Sequence, residues 1–422
     1  MVVTSHLSHR HLYPAGEPTK DLCVTYTPTL GSTDARWMAS RRTDAIDRLS
    51  DIAMPSEREE NWRYLDLDFD PAIPSAPQTP GQVGAPDDVV EAWSGSTVSI
   101  VDGFVATDGI PTVAESDAEH SLVHDDHFFA TAYTAYAPGA ALLGGDLLDE
   151  PLLVDVQTTS VATTFPGVHV DVPSGKDAAV IVRLRSATDE PATVVPTITA
   201  DIGDNARLAL TIIQDWNYKT RSFGRGVIRL NRDASLVLSE VGLGAKLGRF
   251  HLDVDFVGNG SNAKVYGAYF GEEDQTLDYR YFMNHIGRHT RSDMFLKGAV
   301  EDNALSVFTG MIRIEETGQK TEAFQTNRNL ILSSGASAQS VPNLEILAND
   351  VMCGHGSTVG PLDEDQRYYL MSRGLTPESA DRLQVRGFFE EVVQQIPDET
   401  LAGWARDRIN GKYVAAQREG RV

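Results

Sequence analysis

Cysteine is scarce in this chain. Its 422 residues hold two, Cys23 and Cys353, too few for a disulfide framework and in keeping with a reducing compartment. Lysine is scarce as well, most of the positive charge being arginine. With 36 Lys and Arg against 60 Asp and Glu, the formal net charge is −24. Nucleic acid and anionic membrane both demand clustered basic side chains, so neither is expected as a partner, while basic partners stay open. The acidic, lysine-poor bias also suits a salt-rich cytoplasm, where self-repulsion is screened. No apolar run approaches the length needed to cross a bilayer. The opening Met-Val-Val-Thr-Ser-His-Leu-Ser-His-Arg lacks the basic end, apolar core and cleavage site of a secretory signal, so the expected location is cytoplasmic.

The usual enzyme constellations are missing too. There is no Gly-x-Ser-x-Gly elbow, no Gly-x-x-x-x-Gly-Lys-Ser/Thr phosphate loop, no Cys-x-x-Cys and no dinucleotide fingerprint at a strand-to-helix turn. Gly242-Leu-Gly244-Ala-Lys-Leu-Gly248 holds two glycines of such a fingerprint, but it lies among strands and needs only a turn to explain it. The carboxylate pairs Asp253/Asp255 and Glu315/Glu316 could do general acid-base work on a sugar, as in β-helix carbohydrate enzymes. In so acidic a chain such pairs are more often solvated.

What is present divides the chain in three. Residues 1–95 form the first part, beginning with a tail to residue 33 whose His6, His9 and His11 have nothing nearby to fix a metal geometry. A helical pattern starts at Asp34, with Met38, Ala45, Ile46 and Leu49 on one face, and Pro55 stops it. Trp62 and Tyr64 are expected to pin the next segment to the body. Pro71, Pro74, Pro77 and Pro80 mark a linker.

Residues 96–360 read as a β domain. It opens on Thr97-Val-Ser-Ile-Val, a turn at Asp102-Gly103 and a return. An interruption over 115–140 suggests helix, on one face of which His120, His124 and His127 could meet a zinc or iron ion beside Asp125 or Asp126; a solvated polar face behind Phe128 and Phe129 is the plainer alternative. From Leu152 to Leu347 short alternating runs follow one another, and a unit of polar turn, small Ala and strand recurs at Ala206, Ala234, Ala263, Ala304 and Ala336. Spacings of 28, 29, 41 and 32 residues suit stacked coils with variable loops, hence a β-solenoid, with a β-sandwich as the competing architecture.

Residues 361–422 are helical. Asp363 and Gln366 make a capping-box pair, Gly374 fits a helix end, and Thr376-Pro377 begins a second helix. Ala380, Leu383, Phe388, Val392 and Ile396 form its stripe, and a third helix carries Leu401, Trp404, Ala405 and Ile409. Three short helices bury little alone, so this surface is expected to pack on the β domain or receive a partner. At the junction, Cys353 and His355 stand two apart with Gly354 and Gly356 beside them. On a strand both side chains leave one face, and the glycines let another backbone approach. A buried small cysteine and a satisfied surface histidine are the ordinary alternatives. An iron–sulfur cluster takes four protein ligands, and two at one place would need a second chain to complete the site.

The run Leu344-Glu-Ile-Leu-Ala-Asn-Asp-Val-Met-Cys-Gly-His-Gly-Ser-Thr-Val-Gly360, followed by Tyr368-Tyr-Leu-Met-Ser-Arg-Gly-Leu, closely resembles the C-terminal signature of the SufB/SufD family of iron–sulfur cluster assembly scaffolds. Gly310-Met-Ile-Arg-Ile-Glu, Gln319-Lys-Thr-Glu-Ala-Phe-Gln-Thr-Asn-Arg-Asn, Asn284-His-Ile-Gly-Arg-His and Glu60-Asn-Trp-Arg-Tyr-Leu-Asp-Leu extend the resemblance over most of the chain beyond residue 34, the last looking more SufD-like than SufB-like. It implies a mainly β protein, a right-handed parallel β-helix flanked by an N-terminal helical region and a small C-terminal helical domain. It further implies a non-catalytic scaffold that pairs with a SufB-like paralogue through the β-helices and docks a SufC-like ABC-type ATPase on the C-terminal domain. A transient Fe–S cluster would be shared with the partner, His355 mapping onto the family's interface histidine and Cys353 onto its neighbouring cysteine. Gly354 stands where many relatives carry Ser, and Ser357 where many carry Ala. SufB-type members carry further cysteines in the β-helix that this chain lacks. Partner-facing candidates are Gly354, Gly356, Asp363, Tyr368, Tyr369, Arg373, Phe388 and Phe389. A SufB-like homodimer is a further alternative, and flavin association, proposed for the assembled complex, has no support in these residues.

Overall fold

A computed structural model describes residues 34–49, 51–65, 77, 79–122 and 128–420. His6, His9, His11, Cys23, Pro71, Pro74, His124, Asp125, Asp126 and His127 fall outside those residues. The β domain is a parallel solenoid, not a sandwich. One sheet runs through the strands Ser96–Val101, Leu152–Thr158, Asp177–Ser186, Arg207–Asp215, Ser235–Gly242, Asn262–Gly271, Arg291–Val300, Glu322–Ile331 and Met352–Gly360. The other runs from Ala140–Gly144 through Gly167–Val172, Thr197–Ile202, Arg221–Leu230, Leu247–Phe256, Thr276–His285 and Leu305–Ile314 to Ser337–Ile346. Each strand pairs in parallel with the strand one coil away. The exception is the opening hairpin, where Phe104–Val105 returns antiparallel past Asp102 and Gly103, both at positive φ.

Register explains the coil. Arg207 stands over Ser235, Ser235 over Asn262, Asn262 over Arg291, Arg291 over Glu322 and Glu322 over Met352, so a coil takes 27 to 31 residues. Alternate side chains point inward and stack in columns. One such column is Leu152, Val180, Leu210, Leu238, Val265, Met294, Gln325 and His355. Its aliphatic members are at most 1% exposed, and each contributes roughly 1.5–3 kcal/mol by leaving water.

The corners explain the recurring alanine. At one corner Asn205, Asp233, Gly260, His289 and Lys320 all have φ between +55° and +76°. Each donates its backbone N–H to a carbonyl of the next coil: Arg232, Asn259, Arg288, Gln319 and Asp350. Asn and Asp tolerate this left-handed conformation better than most residues. The buried residue after each corner is small: Ala206, Ala234, Ser261, Thr290 and Thr321. Ala304 and Ala336 belong to the opposite corner, before the strands at Leu305 and Ser337. The 41-residue gap between Ala263 and Ala304 is therefore a coil and a half. The glycine-rich turn at 242–248 is also a corner: Ala245 sits at φ 81°, and a Cβ on Gly244 would lie 2.1 Å from the Trp216 carbonyl oxygen.

Among the described residues six α-helices flank the solenoid: α1 (Arg36–Leu49), α2 (Asp88–Ala92), α3 (Phe128–Tyr136), α4 (Glu364–Ser372), α5 (Pro377–Val393) and α6 (Glu399–Glu419). Met38, Ala45 and Leu49 of α1 are buried as the periodicity predicts. Arg42 is buried as well: it pairs with Asp34 and donates to the carbonyls of Ala137 and Pro138 just past α3. Trp62 pins its segment, its ring 5.8 Å from Phe129 and 3.7 Å from the Arg249 guanidinium. Tyr64 is half-buried and lies beside Arg63 instead. The helix expected over 115–140 is confined, among the described residues, to α3, whose nine residues are all buried. His120 stands outside it, on non-helical chain.

α5 and α6 lie on the outer face of the sheet that ends at Met352–Gly360. Val385, Phe389 and Val392 join Leu401, Ile409 and Tyr413 in one apolar cluster with Ile213, Val241, Phe270 and Ala299. Of the expected α5 stripe Ala380, Val392 and Ile396 are buried, while Phe388 is half-buried and Leu383 exposed, Val385 and Phe389 facing the sheet in their place. Lys412 of α6 bonds Glu272 and Tyr218, and Lys297 bonds Glu391 of α5.

Candidate functional site at the open end of the solenoid

The last coil has no coil beyond it. Ser337–Ile346 and Met352–Gly360 are the end strands of their sheets, each hydrogen-bonded to a single neighbour. The nine-residue strand Met-Cys-Gly-His-Gly-Ser-Thr-Val-Gly carries no Asp, Glu, Lys or Arg. Soluble proteins blunt such an edge with lysine, proline or a bulge. Only Pro342, on the companion strand, answers to that description here.

Cys353 stands over Ala323 and His355 over Gln325. Ala323 and Gln325 are at most 1% exposed and face inward, so the cysteine and the histidine share the inward side of the terminal strand, as their spacing predicts. Cys353 is half-buried against the core and free, and burial pushes its thiol pKa up. His355 is exposed. A Cβ on Gly354 would come no nearer than 3.5 Å to the Phe324 ring, and one on Gly356 would be 3.9 Å from Thr326 Oγ1. The fold of this chain therefore does not require glycine at either position. Their effect is to leave the outer side of the edge bare.

Beneath His355 the interior turns polar. Gln325 Nε2 donates to the Asn343 carbonyl at 3.0 Å. Tyr269 Oη donates to Asn329 Oδ1 at 2.6 Å and accepts from Asn327 Nδ2 at 3.1 Å, and Asn329 Nδ2 donates to Asn327 Oδ1 at 2.7 Å. Deeper still, Gln214 donates to the carboxylate of Glu240, whose pKa burial pushes up to about 8. Sequence reasoning missed these residues as site material. The signal was the alternation Gln325-Thr-Asn327-Arg-Asn329, polar at every inward position of a strand that should be apolar there.

The second surface adjoins the first. α4 starts at Asp363, which accepts from the Gln366 N–H at 2.9 Å; the reciprocal partner of a capping box is replaced by Gln384, which accepts from the Asp363 N–H at 3.1 Å. Gly374, at φ 95°, follows the C-cap Arg373. No residue of α4 is buried. Tyr368 is 75% and Tyr369 56% exposed, with Arg373 over the Tyr369 ring at 5.1 Å. Between α4, α5 and the sheet lies a cleft of about 530 Å³ lined by Lys297, Leu330, Leu362, Tyr369, Leu383 and Phe388. Phe389 is 3% exposed and packs toward Phe270, so of the sequence-selected residues it is core and offers no surface to a partner.

Three of the four paired carboxylates are engaged. Asp253 pairs with Arg225 at 3.1 Å, Asn284 donates to Asp253 and Asp255, and Glu315 pairs with Arg313 at 2.8 Å.

Together these residues build a parallel β-solenoid whose terminal coil presents cysteine and histidine on an uncapped edge, with helices laid along one face. The family described as "SUF system FeS cluster assembly, SufBD core domain" matches residues 155–388, and the chain belongs to that family. It is 28% identical over 375 residues to an iron-sulfur cluster assembly SufBD family protein of Mycobacterium leprae, covering 86% of this chain and 89% of that one. To the iron-sulfur cluster assembly protein SufD of Escherichia coli it is 26% identical over 402 residues, covering 88% and 92%. To SufD of Bacillus subtilis it is 26% identical over 368 residues, covering 85% and 79%. Among the described residues no helix is long and apolar enough to cross a membrane.

Proposed function

We propose that this chain is the SufD-type, non-catalytic half of a two-scaffold site in the cytoplasm. Its edge Met352–Gly360 pairs with the corresponding edge of a SufB-like paralogue, and His355, helped by Cys353, offers ligands to a nascent Fe–S cluster that passes through as cargo. The observation that carries this reading is the uncharged, uncapped edge strand with two soft ligands on its inward side. A neutral imidazole and a thiolate suit iron. Two ligands from one chain leave room for a second chain to supply the rest.

The exposed apolar surface supports two docking faces. Phe324, Ile346, Leu347, Met352 and Val359 lie at the solenoid end, and Tyr368, Tyr369, Met371 and Leu375 on or beside α4. Apolar side chains so concentrated mark interaction sites. The first face serves the sister scaffold. The second, with the cleft behind Tyr369, receives a SufC-like ATPase, so that its movement is delivered next to the ligands.

The test is anaerobic co-expression with the paralogue and the ATPase. A His355→Ala complex should assemble with unchanged stoichiometry and show at least a fivefold loss of cluster absorbance. A variant complex that matures as many clusters as the parent would sink the ligand role.

A further inference from the structure

We propose a second, separate metal site on this chain, formed by His120, His169 and Asp201 on the flank of the solenoid and suited to a divalent first-row transition ion such as Zn(II) or Fe(II). Their nitrogen and carboxylate donor atoms all lie within 4.8 Å of one another. Ligand atoms around a tetrahedral zinc stand about 3.3 Å apart, so the donors lie within about 1.5 Å of that spacing.

The strand register brings them together. In Gly167–Val172 the valines face inward, which turns His169 outward; on the next coil Thr199 stands over His169 and Asp201 over Asp171. The segment before Leu122 crosses this face and lays His120 on it, the two imidazole centroids 4.7 Å apart. His169 is 0% exposed, and its Nε2 has no hydrogen-bond partner among the described residues, 3.7 Å from Asp201 Oδ2. A buried imidazole nitrogen is normally satisfied.

Each donor is held by a hydroxyl on its far side. Thr199 Oγ1 lies 2.7 Å from His169 Nδ1, Ser116 Oγ 2.9 Å from His120 Nε2, and Ser121 Oγ donates to Asp201 Oδ1 at 2.9 Å. Fixing the remote atom of each ligand is how metal sites orient histidine and carboxylate. The charge balance points the same way. Asp155, Asp253 and Asp278 each hold an arginine, whereas Asp201 has no Lys or Arg ion pair among the described residues, Arg229 donating to Ser121 instead. Two imidazoles and one carboxylate form a donor set for borderline cations and not for Ca²⁺ or Mg²⁺, which take oxygen ligands.

The experiment uses the full chain, freed of metal by chelation, in a Cys353→Ser/His355→Ala background that removes the solenoid-end ligands. Titrating Zn(II) in excess Ca²⁺, which occupies the acidic surface, should give one equivalent per chain. Co(II) should show the visible bands of a nitrogen-ligated site. His120→Ala and Asp201→Asn, with far-UV circular dichroism unchanged, should each weaken binding at least tenfold, and His169→Gln should do the same. Anaerobic competition by Fe(II) distinguishes which ion the site prefers. No zinc retained in Ca²⁺, or equal affinity in His120→Ala and Asp201→Asn, overturns the site.

Discussion

Gln325 and His355 occupy one column of inward-facing side chains, a single coil apart, yet Gln325 is 1% exposed and His355 lies open. The difference is the missing next coil. A partner strand laid on Met352–Gly360 would give His355 the neighbour that His355 gives Gln325, and would bury it beside Cys353.

That arrangement makes Gly356 a sensitive probe. It points outward at a position where a Cβ meets only ordinary contacts, so Gly356→Lys should leave the melting temperature of the isolated chain within a degree or two. A lysine on an edge strand opposes pairing. Sedimentation with the paralogous scaffold should therefore show at least a tenfold weaker complex. An unchanged affinity would mean that the partner does not use this edge.

The interior carboxylate controls stability at alkaline pH. Glu240 is fully buried, and desolvation raises its pKa from 4.5 to about 8. Between those values the folded chain holds a proton that the unfolded chain has released, so stability falls as pH rises from 4.5 to 8 and then levels off. Glu240→Gln keeps an acceptor for Gln214 and removes the ionisation. At pH 8.5 it should be more stable than the parent by on the order of 2–4 kcal/mol, with little difference at pH 4. Parallel pH profiles in urea denaturation would refute this.

Much of this architecture was legible in the sequence because a solenoid repeats its local chemistry. Asp204-Asn-Ala and Arg232-Asp-Ala announce corners, since a left-handed residue followed by a small buried one is a local requirement. Cys353 and His355 were legible for a similar reason, strand alternation being local. The face of α5 was legible only in part. Val385 and Phe389 face the sheet instead of Leu383 and Phe388 because Ile213, Val241 and Phe270, more than a hundred residues earlier, decide which side is covered. His120 shows the same limit: the helix expected over 115–140 would have set it on one face with His124 and His127, while its described neighbours His169 and Asp201 come from other coils.

A buried ion pair adds to the apolar contacts that attach the helical layer. Lys412 and Glu272 have side chains 9% and 8% exposed and are joined by the Tyr218 hydroxyl, whose pKa desolvation and Glu272 raise. Lys412→Met strands a buried carboxylate and should cost about 3–5 kcal/mol. The loss should appear as faster amide exchange in α6, with the strands Arg207–Asp215 and Ser235–Gly242 protected as before. Adding Glu272→Gln should recover most of it. Uniform acceleration across the solenoid would show that the helices and coils unfold as one unit.

Cys353 offers a direct readout of the solenoid end. Its thiol is half-buried, and desolvation raises its pKa, so less thiolate is present at neutral pH than in an exposed cysteine. In a Cys23→Ser background, alkylation by iodoacetamide at pH 7.5 should be several-fold slower than for a free thiol, and should speed up as pH rises toward 9. Binding of the paralogous scaffold over Met352–Gly360 should suppress it at least a further tenfold, because the edge carrying Cys353 would be covered. Binding of the ATPase alone, at α4, should leave the rate unchanged. If the ATPase protects Cys353 and the sister scaffold does not, the two docking faces are exchanged.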